Sequence, residues 1–351
     1  MTEKRQQLDE REELILQAVV HTYITSAEPV GSRQIVKRFD LDLSPATVRN
    51  VMADLEESGF VEQLHTSSGR VPTTLGYRYY VDYLMRVQEL TLTERDRIEN
   101  ELSKRLSDSD QILRQTSQLL ALVTHQTGIV EAPDKGSAQV RHIELVPMEA
   151  NRLVVLIQDN FGRVASMVVQ SASPNIGQRA AVLSRFLNEY VRGIPVRDVK
   201  TMIRTKMAEF LDEQHMLARE ALNIWEMLPE QQQGQLFFEG ATLLFEQPEF
   251  QDIGRAREVI GLLEEQNTLI EMLRNRMENM PPTRVSVLLG SEVGEQGLDD
   301  ISVVASPYWV GDRRVGLVGV LGPKRMPYSK LTAVVEYTAG MLGRLLTRLA
   351  N

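Results

Sequence analysis

Ser44-Pro45-Ala46-Thr47-Val48-Arg49-Asn50 gathers, within two helical turns, side chains that can read base edges. Arginine pairs bidentately with guanine, asparagine pairs with adenine, and the methyls of alanine or threonine can meet the methyl of thymine. Ser44 and the open amides of a helix start can hold a phosphate. Val48, Val51, Met52 and Leu55 recur at helical spacing and form a stripe suited to a core. The opposite face then carries Ala46, Asn50 and Ala53, flanked by Thr47, Arg49 and Asp54. Ser32 and Arg33 begin the preceding element, where contacts with a phosphate backbone are natural. Further on, His65, Thr66, Ser67 and Arg70 are short or cationic donors around a narrow tip, and an arginine there can enter a narrow minor groove. The expected DNA-contact set is therefore Ser32, Arg33, Ser44, Ala46, Thr47, Arg49, Asn50, His65, Thr66, Ser67 and Arg70. A helix with one Arg and one Asn can equally be a solvated surface helix, so the order of the surrounding elements has to decide.

Other chemistries find little support. There is no cysteine, which excludes disulfides, thiolate metal sites and cysteine nucleophiles and fits a reducing cytosol. His21, His65, His125, His142 and His215 are scattered, with no two at i, i+3 or i+4, so no local zinc site is expected. No G-x-S-x-G elbow occurs. Asp299 and Asp300 are adjacent and would point apart on a strand. Neither catalytic residues, nor a metal, nor a cofactor is predicted. A rival regulator that senses a small effector finds no phosphate-cradling glycine loop in its support, since Gly316-Leu317-Val318-Gly319 sits inside a strand-like run.

Charge alone argues mildly against nucleic acid. The chain of 351 residues carries a formal net charge of −9. Residues 28–78 hold Arg33, Lys37, Arg38, Arg49, Arg70 and Arg78 against Glu28, Asp40, Asp42, Asp54, Glu56, Glu57 and Glu62, a net of −1. DNA binding must then depend on where the charges point. The N-terminal MTEKRQQLDEREE lacks the apolar run of a signal peptide, and no stretch is apolar enough to span a membrane. The expected location is the cytoplasm.

Several elements must position these residues. Leu16, Val19, Val20 and Tyr23 predict a helix over 11–26. Ser32 is expected to cap a second helix and Ser44-Pro45 to open a third, with Gly59 as its stop. Phe60–Leu64 and Arg70–Thr74 predict a hairpin, and Tyr77, Tyr80, Val81 and Leu84 a further helix. Helix, helix, helix, hairpin is the winged-helix order. A long helix is expected over 93–125, then strands at Val140–Val146, Arg152–Gln158 and Val164–Gln170. Helical periodicity follows from about 176, including Leu183, Phe186, Leu187 and Tyr190. The stripe from Val259 through Ile270 and Leu273 to Met277 suits either a core or a partner seam. Strands return at Arg284–Leu289, Ile301–Pro307 and Val315–Leu321, before a closing helix over Ser329–Leu349. Strands, helices, then strands suggest one sheet interrupted by a helical insertion.

Longer motifs are more specific. Pro29-Val30-Gly31-Ser32-Arg33, Ser44 to Asn50, and Met52-Ala53-Asp54-Leu55-Glu56 resemble the N-terminal signature of the HrcA family, bacterial heat-inducible transcription repressors. His65 to Thr73 and Gly76-Tyr77-Arg78-Tyr79-Tyr80-Val81-Asp82 continue the likeness. Gly240 with Pro248-Glu249-Phe250 is similar to the family's central motif, and Gly316, Gly319 and Gly322-Pro323-Lys324-Arg325-Met326-Pro327-Tyr328 to its C-terminal one. Val293 and Pro327 depart from the pattern, away from the reading helix. The resemblance implies an α+β multidomain chain with an N-terminal winged helix-turn-helix, a GAF-like antiparallel sheet domain, and a helical dimerisation domain inserted into it. The expected boundaries are 1–88 for the winged helix, 89–175 and 281–351 for the two parts of the GAF-like domain, and 176–280 for the insertion. It further implies a homodimer on an inverted-repeat operator upstream of chaperone genes, modulated by the chaperonin GroEL and relieved by heat.

Overall fold

The computed structural model describes residues 8–64, 69–103, 108–134, 136, 138–149, 151–171, 173, 175–207, 209, 212–228, 235–264, 266–278, 285–293 and 299–350. Asp9 opens helix α1 (Glu10–Ser26): its carboxylate accepts from the amides of Arg11 and Glu12, and Glu12 accepts in return from the Asp9 amide. Ile15, Leu16, Val19 and Val20 are buried along one face. Helix α2 (Ser32–Phe39) follows, capped by Gly31 and not by Ser32 as the sequence suggests. The extended backbone at Gly31 starts the helix one residue early, so Ser32 lies in the first turn and is buried.

Helix α3 (Pro45–Glu57) buries Val48, Val51, Met52 and Leu55 and ends where Gly59 adopts a left-handed φ of 78°. Strands β1 (Val61–Glu62) and β2 (Val71–Pro72) pair antiparallel, shorter than expected. Thr73 ends β2 because its hydroxyl caps helix α4 (Thr74–Tyr79), accepting from the Gly76 amide and donating to the Gly59 carbonyl. The expected helix through Leu84 changes pitch at Tyr80 into a π-helical turn, closed by Met85 N–H donating to the Tyr80 carbonyl.

Helices α5 (Leu92–Leu102) and α6 (Ser109–Thr124) replace the single long helix read over 93–125. Asp108 accounts for the new start, since its side chain caps α6 by accepting from the Gln111 amide. Strand β3 (Thr127–Glu131) precedes β4 (Val140–Pro147), β5 (Arg152–Asp159) and β6 (Val164–Gln170). Helices α7 (Ile176–Val191), α8 (Val199–Met207) and α9 (Asp212–Glu226) come next, then β7 (Leu236–Glu239). Helices α10 (Thr242–Phe245), α11 (Ile253–Glu264) and α12 (Gln266–Glu278) lead to β8 (Ser286–Leu289), β9 (Ile301–Val310), β10 (Arg313–Pro323) and α13 (Tyr328–Ala350).

Among the described residues the architecture is mixed, with helices around a β1-β2 hairpin, a five-stranded sheet ordered β7-β3-β10-β9-β8, and a three-stranded sheet ordered β4-β5-β6. This corrects the reading of one interrupted sheet. The strands over 140–170 do not join those over 286–323. They form their own sheet, whose inner face carries Ile143, Leu145, Leu153, Val155 and Ile157 against Leu183, Leu187, Ile203 and Trp225. The five-stranded sheet is completed instead by β3 and β7, two short strands that periodicity does not reveal. The chain thus passes from the five-stranded sheet to the three-stranded one between β3 and β4, and returns between β6 and β7.

Alternation divides the five-stranded sheet between two cores. Val130, Phe237, Val304 and Val318 join α6, α13 and the N-terminal helices in one core, while Ile129, Leu236, Val303 and Leu317 meet α10–α12 in another. The Val259–Met277 stripe is split between α11 and α12, and Val259, Leu263, Ile270 and Leu273 are buried in that second core. The side chain of Met277 lies outside the described residues. β3 and β7 pair through Glu131 and Leu236, and the Ala132 amide extends the pairing by donating to the Gln235 carbonyl at 2.7 Å.

Candidate nucleic-acid interface

The start of α3 is locally determined. Ser44 has extended backbone and its Oγ accepts from the Thr47 amide at 3.0 Å, while the two hydroxyls lie 2.9 Å apart. Pro45 fixes the first helical φ without removing a useful donor. With Val48, Val51, Met52 and Leu55 turned inward, Ser44, Ala46, Arg49 and Asn50 are exposed on one side and Thr47 is half-buried. These are the side chains that base reading requires, on the face that the core leaves open.

Helix α2 presents Arg33, Gln34, Lys37 and Arg38 to solvent. Lys37 stands one helical turn after Arg33, so the two cations share a face. Lys37 adds to the expected Arg33 a second exposed cation, at an i, i+4 spacing legible in the sequence. Arg38 is steadied by Thr25, whose Oγ1 accepts from Nη2 at 3.0 Å, and it lies over the Phe39 ring. Burial, and then the Arg38 charge, hold the nearby His21 imidazole below the ordinary histidine value. Ser32, expected at a phosphate, is buried beneath this face.

The hairpin places Arg70 differently from the expectation. His65, Thr66 and Ser67 lie outside the described residues. Arg70 lies one residue to the turn side of the Glu62–Val71 pair. Its backbone makes a two-bond bridge with Val30, each amide donating to the other's carbonyl at 2.9 Å. Gly69 allows this approach, since a Cβ there would lie 2.4 Å from the Val30 carbonyl oxygen. The Arg70 guanidinium turns toward α3 and pairs with Glu56 at 2.7 Å. Its side chain is 19% exposed, held along α3 by this pair.

Arg78 also leaves the exposed set, because it is engaged with Glu292 and the Val287 carbonyl of the five-stranded sheet. Pairing thus silences Glu56, Arg70 and Arg78 together, and Arg33, Lys37, Arg38 and Arg49 remain exposed on α2 and α3. Helix α2 and the first half of α3 thus carry exposed cations and no acid, whereas Glu28, Asp40, Asp42, Asp54, Glu57 and Glu62 are exposed elsewhere in the segment.

Nothing comparable supports phosphate cradling by the sheet. Gly319 lies inside β10, where a Cβ would come 2.3 Å from the Val304 carbonyl oxygen, so its small size serves strand packing. Among the described residues there is no group of three or more His, Asp or Glu able to hold a metal. No described helix is long and apolar enough to cross a membrane.

Comparison with known proteins gives consistent results. The family model for the HrcA protein C terminal domain matches residues 110–332. The heat-inducible transcription repressor HrcA of Geobacter sulfurreducens is 41% identical over 340 residues, covering 97% of this chain and 98% of that protein. Its counterpart in Pelotomaculum thermopropionicum is 35% identical over 345 residues, covering 98% of each. A crystal structure described as a hypothetical protein shares the fold with a TM-score of 0.66 at 23% identity, covering 98% of this chain and all of the other. With full-length relatives at this identity and a family model matching most of the C-terminal two thirds, the chain belongs to the HrcA family.

Proposed function

We propose that this chain is a heat-inducible transcription repressor that binds an inverted-repeat operator as a homodimer. In this reading the expected unit over 1–88 is a winged helix-turn-helix, in which α3 enters the major groove, α2 crosses the backbone and the paired β1 and β2 belong to the wing. The observation that carries the reading is the division of α3, whose apolar stripe is wholly buried while Ser44, Ala46, Arg49 and Asn50 face outward beside Arg33 and Lys37 of α2.

The remaining chain divides, in this reading, into a GAF-like unit built on the five-stranded sheet and a unit inserted between β3 and β7. The inserted unit supplies the dimer contact. Support comes from the outer face of its sheet, where Val146, Val154 and Val168 stand directly opposite one another across β4, β5 and β6. Val146 and Val168 are 41% and 60% exposed, an unusual row for a solvated sheet face. Two-fold symmetry would then match the two operator half-sites. Family membership extends the reading to chaperone operons as targets and to GroEL as the partner that maintains the DNA-binding form.

Selection of duplexes from random-sequence DNA by the full chain tests this directly. An enriched palindrome, protected in footprints and also present before chaperone operons, is the expected result. Failure to enrich any sequence, or an unchanged preference after Arg49→Ala, would remove α3 from the reading role. Adding chaperonin while the temperature is raised should prolong operator protection.

A further inference from the structure

We propose that Glu56 and Arg70 form a positioning pair that fixes the angle of the wing against α3, and that Arg70 acts through Glu56 without touching DNA. The proposal rests on the DNA-reading role assigned to α3 above. It reassigns the one described wing residue expected to enter a groove.

Three observations converge on it. The pair is close, at 2.7 Å between Arg70 Nη2 and Glu56 Oε2, and only 19% and 33% of the two side chains is exposed. Shielding of this degree lifts such a pair above the near-zero worth of a fully solvated one. The Arg70 backbone is pinned from the opposite side by its two hydrogen bonds with Val30, where Gly69 permits contact that no side chain would. The returning arm of the hairpin is therefore held at two points, by main chain to the segment before α2 and by side chain to α3.

The position of Glu56 gives the pair its meaning. It lies seven residues after Arg49, and two turns of an α-helix bring it back to within about 20° of the same line. The wing is thus tied to the line of α3 that carries the candidate base-reading arginine. A rotation of the wing would pull on that line. An unpaired carboxylate there would repel phosphate, and Arg70 cancels it.

Charge makes the idea separable from direct contact. Glu56→Gln adds a net positive charge to the face. If Arg70 met DNA itself, this change would release it, strengthen binding and extend protection at the flanks. If Arg70 positions the wing, the same change loosens the wing and loses flank protection despite the better charge.

The experiment uses the full chain and a duplex that the unmodified chain has selected from random-sequence DNA, read by hydroxyl-radical footprinting and binding titration. Arg70→Ala and Glu56→Gln should each weaken binding about fivefold, and the double variant should lose no more than either alone. Both should lose flanking protection while the centre and its base preference persist. The exchange Glu56→Arg with Arg70→Glu should restore much of the flank protection. Tighter binding by Glu56→Gln, or an exchange variant as weak as Arg70→Ala, overturns the proposal. If the unmodified chain selects nothing, or Arg49→Ala and Asn50→Ala leave the central footprint intact, the reading role of α3 fails and the proposal falls with it.

Discussion

Arg78 grips Glu292 with two prongs, Nε donating to Oε1 at 3.1 Å and Nη2 to Oε2, while Nη2 also donates to the Val287 carbonyl at 2.7 Å. The contact joins α4, directly behind the hairpin, to the β8 edge of the five-stranded sheet and the turn after it. Tyr77 strengthens the same seam, meeting Tyr328 edge-on with ring centroids 6.0 Å apart, and both rings are buried. Arg78→Ala leaves the Val287 carbonyl and the Glu292 carboxylate without this donor and should cost about 1–3 kcal/mol in denaturant unfolding. Arg78→Lys should recover only part, because an ammonium cannot reproduce the fork. Equal stability of all three forms would show that the seam contributes nothing.

Arg49→Ala should lower operator affinity by about 1–3 kcal/mol and relax preference at one base position in each half-site. Binding should also respond modestly to salt. With Arg33, Lys37, Arg38 and Arg49 as the exposed cations of α2 and α3, a dimer should give a log–log slope of no more than about 7 in magnitude. Titrations across potassium chloride concentrations measure both. A markedly steeper slope would mean that other parts of the chain supply phosphate contacts.

Val168→Lys should convert a dimer to a monomer in sedimentation velocity without changing the unfolding midpoint of the subunit. The side chain is 60% exposed within one subunit, so a charge there disturbs no core. It would, however, be buried unpaired in a symmetric contact between two such faces. A persistent dimer would move the contact away from the row through Val146, Val154 and Val168.

Glu131 should leave a mark on acid stability. Its carboxyl is buried at the end of β3, where burial raises it above the ordinary glutamate value despite the Arg274 guanidinium beside it. A carboxyl raised in this way contributes stability that is present below its unfolded value and is lost as the pH rises through its folded value. Between those two values, just above the ordinary glutamate range, folding stability should fall with rising pH. Glu131→Gln should flatten that slope by fixing a neutral side chain. Parallel pH profiles for the two proteins, from guanidinium unfolding, would contradict it.

Local chemistry was the legible part of the sequence. Ser44-Pro45 announces α3, Gly59 its end, and the alternation through 140–170 its three strands, because each depends on neighbours within a few residues. Partnership was harder to read. Thr127–Glu131 and Leu236–Glu239 are too short to show a period, and what makes them strands is pairing across more than a hundred residues. The same holds for the face. Arg70 reads as a free cation until Glu56 is brought beside it, and the acidic sum over 28–78 looks unfavourable until the charges are sorted by direction, with Arg33, Lys37, Arg38 and Arg49 exposed on α2 and the first half of α3.

The pairing of Glu131 with Leu236, extended by Ala132 and Gln235, bears on how such a chain can be remodelled. The polypeptide leaves the sheet and re-enters it at adjacent points, like the two sides of a stem. In the reading proposed above, the described elements from β4 to α9 hang from that one node, and a tight turn there would close β3 onto β7 with the sheet order intact. Replacing β4 to α9 by such a turn should leave the five-stranded sheet and the exposed side of α3 as they are.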